Sequence, residues 1–280
     1  MYNIGLTTGI RYSWHVLDVL KVFSAEGISN VELWAEKSHA NLLDARLINA
    51  LRKFKINHNM NYVAVHPPSR DGWAIDNPDP THANRAFDIY RRLIEHSLQL
   101  GIRRMVLHPG TRRPEDENKA RRALEASASF TNRLLNYLAD RPLKICMENT
   151  LPHHLGGTLP ELKWLDQHTD GEFYLTLDTS HAFLSKSTIA DYIEEFGRRI
   201  RHTHLSDNRG TKDDHLPPGE GRIDFREVLK LLVKNAYVDD WFLEVIKVPN
   251  SDSLPEDCRR IMDYFQELVS DVFRRYNPNA

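Results

Sequence analysis

The stretch LTLDTSHAF, residues 175–183, runs through aliphatic and β-branched residues and stops on Asp178, with His181 three positions later. A carboxylate at a buried strand end is costly unless something pairs with it, because burial strips its hydration. The pattern is not isolated. Strand-forming runs occur at YNIGLT (2–7), NVELW (30–34), NYVAVH (61–66), RRMVLH (103–108), LKICME (143–148), FYLTLD (173–178), IRHTHL (200–205) and WFLEVI (241–246). Segments of helical periodicity separate them, among them HVLDVLKVFSAEG (15–27), NLLDARLINALRKFK (41–55) and RAFDIYRRLIEHSLQLG (85–101). Further helices are expected around 116–139, 159–168, 188–196, 224–235 and 255–275. Gly27 and Gly101 stand where helices should stop before the next strand. Eight strands alternating with about eight helices predict a single α/β domain over 1–280, a (β/α)8 TIM barrel. A doubly wound open sheet shares that alternation.

A chain of 280 residues with 41% hydrophobic content suits one such barrel and its core. The formal charge of −2 gives no general field for nucleic acid or an anionic membrane. Nucleic acid is therefore a disfavoured partner, although a local basic stripe is compatible with a neutral total. Cys146 and Cys258 form no CxxC pair, and MYNIGLTTG (1–9) has neither a basic start nor a long apolar run. The expectation is a soluble cytoplasmic protein with no membrane association. Composition carries no signal for oligomeric state.

The fourteen histidines are many for this length, and several follow apolar strands. His66, His108, Glu148, Asp178, His204 and Glu244 end the third to eighth predicted strands in turn. Active sites of TIM barrels lie at the C-terminal ends of the strands. One histidine after one strand is usually a hydrogen-bonded core or turn residue; six ionisable groups at equivalent positions define a mouth. Crowded there, Glu148, Asp178 and Glu244 would repel one another. Divalent cations remove that repulsion, and mixed His and Asp/Glu ligands suit zinc or manganese. His181 continues from Asp178 into the first helical turn, and Asp213 and His215 in TKDDHLPPGEG (211–221) form a D-x-H able to place both side chains on one ion. Asp207, Asn208 and Asp214 read as an Asx-rich solvated loop. His202, one layer below His204, reads as a core histidine or a support for it.

His66 and His108, together with MENT (147–150), LDTSH (177–181), HTHLSD (202–207), DDHLPPGEG (213–221) and LEV (243–245), resemble the xylose-isomerase-like TIM-barrel superfamily. That group includes endonuclease IV (AP endonuclease family 2) and many sugar and sugar-phosphate isomerases and epimerases. The resemblance implies one to three ions. His66, His108 and Glu148 would hold one; Glu148, Asp178, His204 and Glu244 a second; His181, Asp213 and His215, as in endonuclease IV, a third. It also implies a metal-dependent isomerase or epimerase of a small polyhydroxylated substrate, with Glu148 and Glu244 exchanging a proton on either face. VELW (31–34) looks like the second strand of the sugar-isomerase branches, and Trp34 or Trp73 could wall a sugar. The alternative is endonuclease IV-like hydrolysis of a phosphodiester, or of an ester or amide of a small metabolite. PPSRDGW (67–73) lacks the tyrosine and leucine that endonuclease IV inserts into DNA, and AEKSHA (35–40) lacks its nucleic-acid loop. Arg112 and Arg113 could grip a phosphate. A barrel retaining metal only for structure is the third and weakest reading.

Overall fold

The structure is a computed structural model that describes residues 3–246, 248 and 252–276. Tyr2, placed in the first strand by its sequence, lies outside them. The strands are β1 Ile4–Thr7, β2 Asn30–Trp34, β3 Asn61–His66, β4 Arg104–Leu107, β5 Lys144–Glu148, β6 Tyr174–Asp178, β7 Ile200–His204 and β8 Trp241–Leu243. The helices are α1 Val16–Ala25, α2 Ala45–Asn57, α3 Pro80–Gln99, α4 Glu117–Leu138, α5 Leu159–Gln167, α6 Thr179–Leu184, α7 Ile189–Phe196, α8 Phe225–Lys234 and α9 Leu254–Tyr276. None of these helices is long and apolar enough to cross a membrane.

All pairings are parallel, in the order β7-β6-β5-β4-β3-β2-β1-β8. The two ends meet: Leu205 bridges Leu243, and the Leu205 N–H donates to the Phe242 carbonyl at 2.9 Å. This near-closure decides for the barrel over the open sheet. Alternation along each strand sends one set of side chains into the helical layer and the other into the barrel. Val31, Leu33, Val65, Leu107, Leu175 and Leu177 are accordingly fully buried in the apolar core.

Local chemistry explains where the boundaries differ from periodicity. Helix α3 begins at Pro80, five residues before the periodic pattern, because Asp79 caps it by accepting from the Thr81 and His82 N–H groups. Proline at the first helical position costs nothing, since its missing N–H has no intrahelical partner there. Strand β4 stops at Leu107, so His108 is the first loop residue rather than the last strand residue; Pro109 behind it has no N–H to extend a ladder. Strand β8 stops at Leu243, because the chain turns away and Ile246 N–H pairs with the His215 carbonyl at 3.2 Å.

The β7–α8 loop is held by one carboxylate. Asp207 Oδ1 accepts from Asn208 N–H (2.8 Å) and Ile223 N–H (3.0 Å), and Oδ2 from Gly219 N–H (2.9 Å) and Gly221 N–H (2.8 Å). Its backbone also exchanges two hydrogen bonds with Leu216. Gly221 has to be glycine, since a Cβ there would sit 2.3 Å from Asp207 Oδ1. Replacing Asp207 by Ala leaves four N–H groups without their acceptor, at about 1–3 kcal/mol for each one that water does not reach. We expect Asp207→Ala to lower unfolding free energy by about 3 kcal/mol or more in urea titrations. A loss below about 0.5 kcal/mol, the scale of ordinary surface changes, would contradict this role.

Candidate metal centre

The nine residues nominated as ligands come together at the C-terminal mouth. Glu148 is at the centre. Its Oε2 lies 2.9 Å from His108 Nε2 and 3.4 Å from His66 Nε2, while Oε1 lies 3.3 Å from His181 Nδ1 and 3.4 Å from His204 Nδ1. Glu244 Oε2 approaches His204 Nδ1 at 3.2 Å and His215 Nδ1 at 3.5 Å. Asp213 Oδ2 faces His215 Nε2 at 2.9 Å and His181 Nε2 at 3.5 Å, so the D-x-H loop does fold back over β6. Glu148, Asp178 and His204 are fully buried, and the half-buried His108 and Asp213 leave the site open to solvent.

Backbone geometry aims these side chains. Asp178 caps α6, its Oδ1 accepting from His181 N–H at 2.7 Å, which answers why a carboxylate ends β6 and why His181 follows it. Asn149 carries the β5–β6 pairing one step further: its side chain accepts from Asp178 N–H and donates to the Asp178 carbonyl, both at 2.8 Å. The rings are anchored from behind. His66 Nδ1 lies 3.0 Å from the Pro67 carbonyl, His181 Nδ1 3.0 Å from the Asn149 carbonyl and His215 Nδ1 3.2 Å from the Glu244 carbonyl. Each donates there and leaves Nε2 free, facing Glu148 in His66 and Asp213 in His181 and His215. His215 adopts φ 44°, a left-handed conformation costly for a β-substituted residue, and the surrounding loop holds it there.

Burial works against charge throughout the cluster. Burial pushes the Asp178 carboxyl up to about 7, with His181 and His215 only partly offsetting it. Burial also opposes ionisation of Glu148, yet the His108 and His204 imidazoles outweigh it and hold this carboxyl well below its ordinary range. Burial favours neutral His204 and His181, but Glu244 and Glu32 beside the first, and Asp178 and Asp213 beside the second, raise both well above normal. The carboxylates thus draw protons onto the imidazoles. Both Glu148 oxygens, Asp178 Oδ2 and His204 Nδ1 are nevertheless buried without a hydrogen bond of proper geometry. Lone pairs converging on one space, from a His, Asp and Glu set within 4.8 Å, fit a divalent cation.

Other nominated residues are placed as follows. Trp34 is half-buried beside the mouth, its ring edge-on to His66 at 6.4 Å between centroids and to Tyr12 at 5.6 Å. Trp73 packs edge-on against Tyr90 in the helical layer. Arg112 is exposed, its backbone bridging to His154, in a cleft with Asp76, Asn77, Lys119 and Arg122 and none of the nine cluster residues. Arg113 is committed to Glu161 (2.7 Å) and Glu117 (2.7 Å). The expectation that Asp207, Asn208 and Asp214 are solvated is corrected: all three are buried. Asn208 donates to Ser180 Oγ and the Lys212 carbonyl, and Asp214 accepts from Arg209 N–H, so together they shape the loop that delivers Asp213 and His215. Glu32 and Asn149 were not nominated from sequence, although NVELW places Glu32 on the same strand face as Trp34 and MENT places Asn149 beside Glu148.

Part of the chain is 29% identical to inosose dehydratase of Salmonella typhimurium, covering 42% of this chain and 46% of that enzyme. The whole fold superposes on a D-tagatose 3-epimerase-like protein with a TM-score of 0.81 at 22% identity, covering 96% and 98% of the two chains. It superposes equally well on an IolI protein that carries a zinc atom, with a TM-score of 0.81 at 16% identity over 97% and 99%. A family model described as xylose isomerase-like TIM barrel matches residues 20–268, and the chain belongs to that family.

Proposed function

We propose that the protein is a metal-dependent isomerase or epimerase of a small polyhydroxylated carbonyl compound. The observation that carries this reading is the placement of Glu148 and Glu244. Both are buried, one ends β5 and the other directly follows β8, and they face the same His204 Nδ1 at 3.4 and 3.2 Å. Two carboxylates on either side of one bound carbon can remove a proton from one face and return it to the other. Glu148, Asp178, His204 and Glu244 would hold the catalytic ion, zinc or manganese. When bound, the metal would supply Lewis acidity to a carbonyl and its neighbouring hydroxyl, acidifying the C–H of the hydroxyl-bearing carbon.

The chain's own residues do the rest. Glu148 and Glu244 hold and move the proton, and Trp34 walls the substrate beside His66. His181 binds substrate oxygens in this one-metal reading. The epimerase-like fold and the inosose dehydratase likeness both support a sugar or cyclitol ketone as the substrate class, and the zinc in the IolI structure supports a metal. A second reading, metal-dependent hydrolysis, has one specific observation in its favour: Asp178, His181 and His215 form a further ligand group beside the first, and Asp213 Oδ2 faces both of its rings. In that case His66, His108 and Glu148 would hold another ion.

Three outcomes are expected. The purified protein carries at least one zinc or manganese per chain, removable by a chelator; elemental analysis finding none after growth in metal-supplemented medium would refute the central reading. Glu148→Ala loses metal and activity together, whereas Glu244→Gln lowers kcat on an epimerisable ketose by about 10²–10⁴-fold, the usual worth of a positioned acid–base group. Wild-type turnover in either variant would contradict the proposed proton exchange. Metal counts on His181→Ala, Asp213→Ala and His215→Ala separate the two readings. Unchanged stoichiometry near one fits the isomerase, while equal loss of one ion in all three turns the assignment to a hydrolase.

A further inference from the structure

Below the ligands, the barrel interior contains a further buried carboxylate, Glu32. Alternation along β2 turns Glu32 inward, and the same rule turns both His202 and His204 inward along β7. The two strands lie on opposite sides of β1 and β8, so the three side chains meet across the barrel. Glu32 Oε2 lies 2.8 Å from His202 Nε2 and 3.1 Å from His204 Nε2, and all three residues are fully buried. One carboxylate oxygen thus accepts from two rings.

We infer that Glu32, steadied by His202, is a positioning residue for the metal centre: it fixes His204 with Nε2–H pointing down and Nδ1 pointing at the reacting site. The inference deepens the proposed function and rests on its reading of His204 as a ligand. An imidazole offers a metal only the nitrogen that carries no proton, and the hydrogen bond at the other nitrogen decides which one that is. His66, His181 and His215 donate from Nδ1 to backbone carbonyls and present Nε2, to Glu148 in the first and to Asp213 in the other two. His204 is reversed. Its Nε2 is occupied by Glu32, and its Nδ1 faces Glu148 and Glu244 with no hydrogen bond of proper geometry. A charged acceptor behind the ring also makes Nδ1 a stronger electron donor than a carbonyl would. His202 holds the Glu32 carboxylate in line by donating to the same oxygen. Core filling alone would need neither a charge nor this ring orientation, and charge burial is costly unless it serves pairing.

The test uses full-length protein labelled with 15N-histidine, with and without zinc, alongside Glu32→Gln and Glu32→Ala. Expected for the wild type are slowly exchanging Nε2–H protons on both His202 and His204, whether or not zinc is present. Glu32→Gln keeps an acceptor but loses the charge, and should retain these signals while weakening zinc binding by about tenfold. Glu32→Ala should lose them and weaken zinc by up to about 100-fold, the upper range for a removed supporting group. If the Ala variant does not fold, the Gln variant and the wild-type spectra decide. His204 lacking a proton on Nε2 in the wild type would overturn the inference. So would a folded Glu32→Gln that binds zinc within about twofold of the wild type. A wild type that binds neither zinc nor manganese would fail the metal reading first, and this role with it.

Discussion

The structure turns on a concentration of charge that apolar surroundings cannot balance by themselves. Glu148, Asp178, Glu244 and Asp213 share one mouth with five imidazoles, and Glu148 and Asp178 have no access to water. Burying an isolated carboxylate costs several kcal/mol even after relaxation. Protons drawn onto His181 and His204 meet part of that cost, yet Asp178 remains pushed up to about 7, mainly by burial. The unpartnered oxygens of Glu148 and Asp178 point into the same space. A fold that keeps such a cluster has to hold it rigidly, and the barrel does: His66, Glu148, Asp178 and His204 stand on paired strands, with His108 and Glu244 one residue beyond.

The remaining ligands are less easily held, because Asp213 and His215 come from a loop. The solution is a polar interior for the loop itself. Asp207 gathers four backbone N–H groups, Asn208 ties the loop to Ser180 on α6, and His215 is kept at φ 44°. Strain at this position is consistent with delivery of a side chain that a relaxed loop would direct elsewhere. The loop is also tied to the segment after β8 by the hydrogen bond from Ile246 N–H to the His215 carbonyl.

Much of this is legible from the chain. Alternation and spacing reveal eight strands, and the residues ending the third to eighth mark the mouth, because strand direction alone fixes which end they share. Among the boundaries that differ, those at Pro80, His108 and Glu244 are set by a cap, a following proline and a turn toward the His215 carbonyl, none of which leaves a periodic signal. Glu32 was hidden for another reason: its partners His202 and His204 lie about 170 positions away and meet it only once the barrel closes. Asp207, Asn208 and Asp214 looked solvated because loop composition cannot distinguish polar groups facing water from polar groups facing backbone N–H.

The central claim is that two buried glutamates exchange a carbon-bound proton of a sugar-like ketone with solvent. The most direct measurement is deuterium incorporation, followed by NMR, when the zinc- or manganese-loaded protein is incubated in D2O with ketoses and cyclitol ketones. The account predicts deuterium entering a carbon next to the carbonyl of at least one compound, and none entering with Glu148→Gln. Cleavage of a phosphodiester, ester or amide by the loaded protein, with no deuterium entering any of these ketones, would contradict it.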